Sequence, residues 1–530
     1  MSIIIKQLSY IHPDKEALFQ HISLSVSDGQ KISIIGRNGS GKSTLLRILS
    51  GNLPYSSGEI VYSEKPYYIP QHFGQYNELT IAEALGIAKK LNALHAILAG
   101  DASVDNFNDL NDDWNIEDRA LAALAAWGLE RFSLSQKMDT LSGGEKTKVF
   151  LSGIAIHSPS IILLDEPSNH LDKKGRKQLY RFVEESHSAI IVVSHDRTLL
   201  NLLDLTYELT SNGMDLYGGN YEFYKNEKEK KLSALQEQLD DKEKALRLAR
   251  KTAREAMERQ QKHDVRGEKA NAKKGVPRIV MGNLKSKAEK STSKLKDIHA
   301  NKIENIAEDL SKIKNAIPDM KELKLNFGDA ALHTGKILID AKEINFGYGD
   351  SFLWQENVTF QIRSGDRILI AGNNGAGKTT LIKLLLGQLE PQTGTLNRAE
   401  FNYLFIDQEY SIINNALTIY EQTQQFNTRL LPEHELKMNL TRFLFPKETW
   451  NKKTSQLSGG EKMRLMICCM QVANNLPDIF VLDEPTNNLD IQSLEILTST
   501  LRSYQGTILL ISHDGYFSNE IGIEQTLELV

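Results

Sequence analysis

The sequence predicts an α/β protein built from one module that occurs twice, with an antiparallel helical hairpin between the two copies. The first observation is that the same short motifs recur in the same order in both halves of the 530 residues. The second is that, in each half, a β-branched strand runs into a glycine-rich loop that a helix follows. The third is a stretch between the halves whose apolar residues recur at helical spacing. We place the first module at residues 1–223, the hairpin at 224–326 and the second module at 327–530.

The repeat is clearest in two glycine-rich loops, residues 36–43 and 372–379, which lie 336 positions apart and fit the pattern G-x-x-x-x-G-K-[ST]. Further pairs follow in the same order. They are Gln71 with Gln408, the Leu-Ser-Gly-Gly-Glu runs at 141–145 and 457–461, Asp165-Glu166 with Asp483-Glu484, and His195 with His513. An ordered set of matches predicts two copies of one fold.

The offset between matching residues also locates an insertion. It falls from 337 at the glutamines to 316 at the Leu-Ser-Gly-Gly-Glu runs, so the first half carries 21 additional residues. We place them at about residues 91–118, where acidic residues are frequent. This composition predicts a loop-and-helix insertion, which is either a solvated loop or a docking arm.

Two seams of Leu, Ile and Ala at spacings of three and four residues predict the hairpin. They cover residues 232–253 and 295–317, and Lys242 interrupts the first. Residues 273–277 (KKGVP) disfavour helix twice, so we expect the tip near residues 275–282.

Positive charge concentrates toward this tip. Residues 262–296 hold eleven Lys or Arg and three Asp or Glu, a net charge of +8 in a chain whose net charge is −5. Such a cluster attracts phosphate backbones, with an affinity that falls as salt rises, although a merely solvated helix pair is the alternative. The predicted RNA contacts are Lys269, Lys273, Lys274, Arg278, Lys285, Lys287, Lys290, Lys294 and Lys296.

The glycine-rich loops predict ATP binding because strand, loop and helix follow one another as a phosphate loop requires. Glycines let backbone N–H groups turn toward phosphates, and Lys42 or Lys378 reaches the β and γ phosphates. Ser43 and Thr379 are expected to ligate Mg²⁺. The predicted ATP-binding residues are Gly36, Arg37, Asn38, Gly39, Ser40, Gly41, Lys42, Ser43 and Thr44, and in the second half Gly372, Asn373, Asn374, Gly375, Ala376, Gly377, Lys378, Thr379 and Thr380.

Paired acids follow an aliphatic strand in each half, at residues 161–166 and 479–484. The first acid of each pair, Asp165 or Asp483, is expected near Mg²⁺. The second, Glu166 or Glu484, is expected near the attacking water and is the predicted catalytic group, because phosphoryl transfer depends mainly on positioning and charge neutralisation.

The Leu-Ser-Gly-Gly-Glu run ahead of an Asp-Glu-Pro strand resembles the signature of ATP-binding cassette ATPases. The resemblance implies two cassettes that pair head to tail, each capping the ATP held by the other. The caps are then Ser458, Gly459 and Gly460 for the loop of Lys42, and Ser142, Gly143 and Gly144 for the loop of Lys378. Small residues at a helix start suit this role, since they expose N–H donors.

The same resemblance assigns further roles. Gln71 and Gln408 are similar to the family's Mg²⁺- and water-sensing glutamines, and His195 and His513 to its γ-phosphate switches. The aromatic residue that stacks on adenine stays open between two candidates in each half. These are Tyr10 or His12, and Phe346 or Tyr348.

Two fused cassettes, a linker of about a hundred residues and the Asn-His-Leu-Asp172 run resemble the F subfamily of this superfamily. The resemblance implies a factor that binds the ribosome at the tRNA exit site, its linker reaching toward the peptidyl-transferase centre beside P-site tRNA, as a translation factor or in antibiotic protection. The second half departs from the first at Asn488, which replaces His170, and at Gly515, which replaces Arg197. We therefore expect both halves to bind ATP and to hydrolyse it at unequal rates.

Two other functions stay open: an ATPase of DNA maintenance and a soluble ATPase that energises a transporter. No apolar run approaches the roughly 20 residues that cross a bilayer. The two cysteines, Cys468 and Cys469, are adjacent and cannot form a disulfide framework. We expect a cytoplasmic, monomeric chain whose cassettes pair within the molecule.

Overall fold

The computed structural model describes residues 3–529 apart from residues 14, 16, 102, 211–212, 274–277, 317–334, 350, 374, 409, 474–475 and 488. Within the hairpin it describes the backbone, but not the side chains, of 264, 267–273, 278–292, 295 and 315–316. The chain forms two compact units. One comprises Met1–Tyr224 and Leu323–Val530, and the other comprises Lys225–Glu322.

The first module combines strands and helices. Its strands are β1 (Ile3–Ile11), β2 (Ala17–Val26), β3 (Lys31–Ile35), β4 (Ser57–Tyr62), β5 (Tyr67–Ile69), β6 (Ile161–Asp165), β7 (Ala189–Val193), β8 (Leu205–Thr210) and β9 (Gly213–Tyr217). Its helices are α1 (Lys42–Leu49), α2 (Ile81–Ala84), α3 (Ala88–Leu98), α4 (Val104–Leu110), α5 (Ile116–Ala126), α6 (Gly143–His157), α7 (Lys173–Glu185) and α8 (Arg197–Asn201).

The remaining elements are the hairpin and the second module. The hairpin helices are α9 (Tyr221–Lys273) and α10 (Arg278–Ala316). The strands that follow are β10 (Ile337–Asn345), β11 (Val358–Arg363), β12 (Arg367–Ala371), β13 (Thr393–Arg398), β14 (Tyr403–Ile406), β15 (Ile479–Asp483), β16 (Thr507–Ile511) and β17 (Gln525–Glu528). The helices are α11 (Lys378–Leu385), α12 (Ile419–Gln425), α13 (Glu433–Arg442), α14 (Gly459–Ala473), α15 (Ile491–Ser503) and α16 (Gly515–Glu520).

Each module contains a mainly parallel sheet and a small antiparallel one. In the first module the orders are β5-β6-β7-β3-β8-β9 and β2-β1-β4, and in the second β14-β15-β16-β12-β17 and β11-β10-β13. The central strands β6, β7, β15 and β16 are buried along their whole length, as expected for parallel strands covered on both faces. The glycine-rich loop, the paired acids and the histidine of each module follow the carboxyl ends of neighbouring strands, so the sheet brings them to one edge.

The insertion in the first module is helical. Helices α3 and α4 lie between α2 and α5, whereas the second module passes from α12 directly to α13. Several of its acids are paired locally. Asp113 accepts from Lys90 at 2.8 Å and from Arg119 at 2.9 Å, and Lys89 lies 2.7 Å from Asp109. Basic residues that flank the insertion therefore neutralise part of its charge.

The hairpin has a seam of the predicted kind along part of its helices. Leu239, Ala253 and Leu310 are buried, and the interrupting Lys242 pairs with Asp309 at 2.6 Å. A cross-helix ion pair thus accommodates the one charged residue in the first seam. Placing Ile298 in the second seam was wrong, because its side chain is 58% exposed.

The predicted tip is also corrected in part. Helix α10 begins at Arg278 and continues through Gly282, because a single glycine inside a helix costs only about 1 kcal/mol. Residues 274–277 lie outside the described residues. Of the predicted RNA contacts, Lys294 and Lys296 are exposed. The side chains of Lys269, Lys273, Lys274, Arg278, Lys285, Lys287 and Lys290 lie outside the described residues.

Candidate ATP site

The loop between β3 and α1 wraps around a lysine ammonium. Lys42 Nζ donates to the carbonyl oxygen of Gly36 at 2.8 Å and to that of Arg37 at 3.1 Å. Gly36 has φ +154°, and a Cβ there would lie 2.5 Å from the carbonyl oxygen of Leu209, so only glycine fits. Burial lowers the pKa of the ammonium, against the opposing charge of Glu166.

The second loop has the same construction. Lys378 Nζ donates to the carbonyl oxygens of Gly372 at 2.9 Å and Asn373 at 3.0 Å. Asn374 lies outside the described residues. In both loops the helix begins at the lysine, so its first N–H groups and the ammonium are directed at the same place, which suits a polyphosphate.

A hydroxyl and a carboxylate meet beside each loop. Ser43 Oγ donates to Asp165 Oδ1 at 3.0 Å, and Thr379 Oγ1 donates to Asp483 Oδ2 at 3.2 Å. Burial raises the pKa of both carboxyl groups. Hydroxyl and carboxylate oxygens are the donors that Mg²⁺ prefers, so the residues present fit this ion. Tyr68, which no motif indicated, donates to the other oxygen of Asp165 at 3.1 Å.

Each predicted catalytic glutamate lies against the histidine of its own module. Glu166 Oε1 is 3.4 Å from His195 Nε2, and Glu484 Oε1 is 3.5 Å from His513 Nε2. The backbone N–H of each histidine also faces the second carboxylate oxygen, at 3.3 and 3.4 Å. The two groups in each module can therefore act as a unit on a water molecule placed between them and a phosphate.

Burial shifts the titration of these pairs. It raises the pKa of Glu166 to about 8 and that of Glu484 to about 7, the latter against the positive charge of Arg176. It lowers the pKa of His195 to about 3 and that of His513 to about 4. Within the described part of the chain, Glu484 Oε1 and His195 Nδ1 are buried without a hydrogen-bond partner. Such polar atoms fit a site that receives a polar ligand.

Both modules line one cavity of about 600 Å³. Lys42 and Glu166 contribute from the first module, and Ser458 and Gly459 from the second. A hydrogen bond also joins the two modules here. The backbone N–H of Asn38, in the first module, donates to Asp490 Oδ2, in the second, at 3.1 Å. Further predicted residues on the cavity wall are Gly39, Gly41, Ser43, Thr44, Gln71, His195 and, from the second module, Gln408.

The Leu-Ser-Gly-Gly-Glu runs form the starts of helices α6 and α14. Ser142 and Ser458 each exchange hydrogen bonds with the glutamate three residues later, so the run is fixed as a capping box. Gly144 and Gly460 allow close packing, since a Cβ would lie 2.6 Å from the carbonyl oxygen of His170 or the hydroxyl of Ser493. The helix start of α14 thereby opens onto the cavity that holds Lys42.

The opposite site shows a matching electrostatic relationship. The negative charge of Asp172, in the first module, favours the charged forms of Lys378 and His513. The negative charge of Asp490 favours those of Lys42 and His195 in the same way. Both aspartates cap the following helix, accepting at 2.8 Å from the backbone N–H of Gly175 or Ser493. That Ser142, Gly143 and Gly144 face Lys378 stays a prediction.

The geometry distinguishes the adenine candidates. His12 lines the cavity. The ring of Tyr10 packs edge-on against the ring of His12, with centroids 5.3 Å apart, and also contacts the ring of Phe19. In the second module Tyr348 is 70% exposed and its hydroxyl lies 3.2 Å from Thr380 Oγ1. His12 and Tyr348 are thus better placed for stacking than their neighbours.

Sequence reasoning missed two further residues at the sites. Asp490 contacts the opposite loop, and its signal was its position, since it follows Glu484 by six residues as Asp172 follows Glu166. Arg176, from the first module, places its charge near Glu484 and His513 of the second. No motif marks Arg176, because only the pairing of the modules brings it there.

The comparisons with known proteins agree with this geometry. The sequence model of the ABC transporter family matches residues 19–169 and 355–487. A relative from Bacillus subtilis (strain 168), the uncharacterized ABC transporter ATP-binding protein YfmM, is 29% identical over 99% of this chain and 98% of its own. ABC transporter F family member 5 of Arabidopsis thaliana is 27% identical over 95% of this chain and 72% of its own.

Solved structures show the same fold. The archaeal ribosome recycling factor aABCE1, in a complex with the ribosomal stalk protein aP1, superposes with a TM-score of 0.60 at 18% identity, over 98% of this chain and 86% of that one. The chain therefore belongs to the ATP-binding cassette family, as an ATPase of the F type with two cassettes, which confirms the predicted fold class and activity. Among the helices that the structure describes, none is long and apolar enough to cross a membrane.

Proposed function

We propose that this ATPase is a ribosome factor that binds at the tRNA exit site in its ATP-bound form. The observation that carries the proposal is the net charge of +8 over residues 262–296, which the chain's total of −5 makes a local feature. Charge localised on a helical hairpin suits a partner with a dense phosphate backbone, as rRNA and P-site tRNA have. The archaeal neighbour aABCE1, a ribosome recycling factor solved with a ribosomal stalk protein, supports the choice of partner.

ATP and Mg²⁺ are the proposed ligands of both cassettes. When bound, Mg²⁺ would neutralise charge on the β and γ phosphates. Ser43, Asp165 and Gln71 would hold the ion in the first cassette, and Thr379, Asp483 and Gln408 in the second. Lys42 and Lys378 hold positive charge beside the phosphates, Glu166 and Glu484 orient water, and the start of α14 directs N–H donors into the first site.

The proposed cycle follows from sites that need both cassettes. Because Ser458 and Asp490 complete the site of Lys42, the side chains around a bound triphosphate reach their places only when the cassettes close. Closure would place the hairpin beside P-site tRNA, and hydrolysis would release it. The factor would act in the cytoplasm as a monomeric chain, either to modulate translation or to protect ribosomes from antibiotics.

The direct test replaces both catalytic glutamates, as Glu166→Gln with Glu484→Gln. This variant should bind ATP, fail to hydrolyse it and accumulate on ribosomes in sucrose gradients with ATP. The matched control adds Lys42→Ala and Lys378→Ala, which removes the phosphate contacts and should abolish the accumulation. A glutamine variant that stays off ribosomes in ATP would refute the proposal.

One further measurement separates ribosome binding from DNA maintenance, and another tests the hairpin tip. Binding to ribosomes is compared with binding to a four-way DNA junction, and stronger binding to the junction would indicate DNA maintenance instead. Deleting residues 270–285 and measuring ribosome-stimulated ATPase together with antibiotic susceptibility tests the hairpin tip. Loss of both would place the tip at the working end of a resistance factor.

A further inference from the structure

A buried arginine ties the first cassette to the second just beyond the histidine of the first site. Arg197 is the first residue of α8, and its side chain is 1% exposed. Its guanidinium donates to Glu520 Oε2 in α16 of the second cassette. The ring of Tyr516, in the same helix, lies 5.6 Å from the guanidinium carbon. The arginine is thus seated on one helix of the opposite cassette.

The surroundings favour the charged guanidinium. Burial alone would lower the pKa of Arg197, but Tyr221 and Glu520 raise it above its ordinary value, and Asp514 adds to this. Tyr221 is the first residue of α9 and is 1% exposed. In the described part of the chain, Arg197 Nε and the Tyr221 hydroxyl are buried without hydrogen-bond partners. Among the contacts described, the guanidinium is held by its bond to Glu520 and by the ring of Tyr516.

This contact has no counterpart across the pair of cassettes. The offset of 318 that relates the two histidines places Gly515 opposite Arg197 and Leu202 opposite Glu520. Neither partner is repeated, so the ion pair can form in one direction only. Removing the Glu520 carboxylate would leave the buried charge of Arg197 without its ion-pair partner, which is costly.

A rigid turn connects Arg197 to the chemistry. Asp196 Oδ1 accepts from the backbone N–H groups of Thr198 at 3.0 Å and Leu199 at 3.2 Å, and its Oδ2 accepts from the hydroxyl of Tyr180 at 2.5 Å. His195 immediately precedes this capped turn and faces Glu166. One residue, Asp196, whose side chain is held by three hydrogen bonds, thus separates Arg197 from His195.

We propose that Arg197 is a positioning residue of the ATPase, a one-sided latch that seats on α16 when the cassettes close and thereby holds His195 against Glu166. Hydrolysis in the first site depends on this latch, whereas the second site, with Gly515 at the matching position, has none of its own. The inference rests on the ATPase activity and holds whether or not the partner is a ribosome.

The first test measures ATP hydrolysis by the full chain after Arg197→Met, Glu520→Gln and the two combined. We expect kcat/KM for ATP to fall about tenfold in each single variant and no further in the double variant, because both remove one interaction. The control is Arg181→Gln, which breaks an exposed Arg–Glu pair within α7 of the first cassette and should leave kcat/KM unchanged. Additive losses, or none, would overturn the latch.

The second test asks whether the loss belongs to one site. Single-turnover hydrolysis is measured for Glu520→Gln in a Glu484→Gln background, where the first site is intact, and in a Glu166→Gln background, where the second is intact. We expect about a tenfold loss in the first background and less than about threefold in the second. Equal losses would show a general structural role and would contradict the proposal.

The third test detects closure itself. Spin labels at Ser63→Cys and Ser503→Cys, exposed positions in different cassettes, report the distance between them, since Cys468 and Cys469 are buried. Arg197→Met should raise the ATP concentration needed for the short distance about tenfold, and Arg197→Lys should recover part of this. An unchanged ATP requirement in Arg197→Met would rule out the latch, independently of any binding to ribosomes.

Discussion

Glu166 and Glu484 occupy the same uncommon backbone conformation, with φ of +49° and +48°, each directly after a buried strand. The backbone N–H of each donates at 2.8 Å to a carbonyl oxygen of the neighbouring strand, that of Val193 or Ile511. A left-handed conformation is costly for a residue with a Cβ. Both cassettes therefore hold the carboxylate beside its histidine by the same strained turn.

Because the turn is strained, replacing either glutamate with glycine should destabilise the fold less than replacing it with alanine. The free energy of unfolding should be about 1 kcal/mol higher for Glu484→Gly than for Glu484→Ala, because glycine adopts the left-handed turn without the steric cost of a Cβ. Denaturant unfolding monitored by fluorescence measures the difference. Both variants should lack hydrolysis at this site, so activity serves as the control for loss of the carboxylate. If alanine is the more stable of the two, the turn is not strained.

The raised pKa of Glu166 predicts a pH-dependent cost to the ATP-free protein. In the folded chain this carboxyl group titrates at about 8, whereas its ordinary value is 4.5. Between pH 4.5 and about pH 8 this carboxyl group is ionised in the unfolded chain but protonated in the folded chain. The free energy of unfolding therefore falls as the pH rises through this range. Glu166→Gln should therefore raise the free energy of unfolding more at pH 8 than at pH 5. An equal gain at both values would contradict the shift.

Tyr68 predicts a difference between the two Mg²⁺ sites. Its hydroxyl bonds to Asp165, and the offset of 337 places Phe405 at the matching position of the second cassette. Tyr68→Phe should raise the Mg²⁺ concentration needed for half-maximal ATPase about threefold to tenfold, since a hydrogen bond to a carboxylate is lost. Tyr62→Phe, at an exposed position, is the control. No change in the Mg²⁺ requirement would show that the bond is only structural.

The two exposed lysines of the hairpin predict a salt-dependent contact. Lys294→Glu with Lys296→Glu should weaken ribosome binding and reduce the slope of log affinity against log salt by about 1 to 2. Pelleting with ribosomes over a salt series gives both quantities. Lys312→Glu changes an exposed lysine outside residues 262–296 and should alter neither strongly. Equal effects of the two changes would indicate a diffuse charge effect.

Much of the catalytic centre could be predicted because its parts are local in sequence. A phosphate loop needs strand, glycines and helix within a dozen residues, and Asp165 and Glu166 are adjacent. Arg176, Arg197 and Tyr68 could not be predicted in this way, since their roles arise from contacts between distant segments. Helical spacing likewise indicated a seam that includes Ile298, yet spacing alone cannot tell which turn of a long helix is covered.

The unrepeated Arg197–Glu520 pair means that the cassettes are no longer interchangeable. A chain assembled from two copies of the second cassette would keep both lysine-bearing loops and both glutamates, but it would have glycine where the arginine belongs. A chain assembled from two copies of the first cassette would have the arginine, but it would have a leucine in place of the accepting glutamate. The two cassettes share one set of ATP-binding motifs, but this contact fixes which cassette supplies the arginine and which supplies the glutamate.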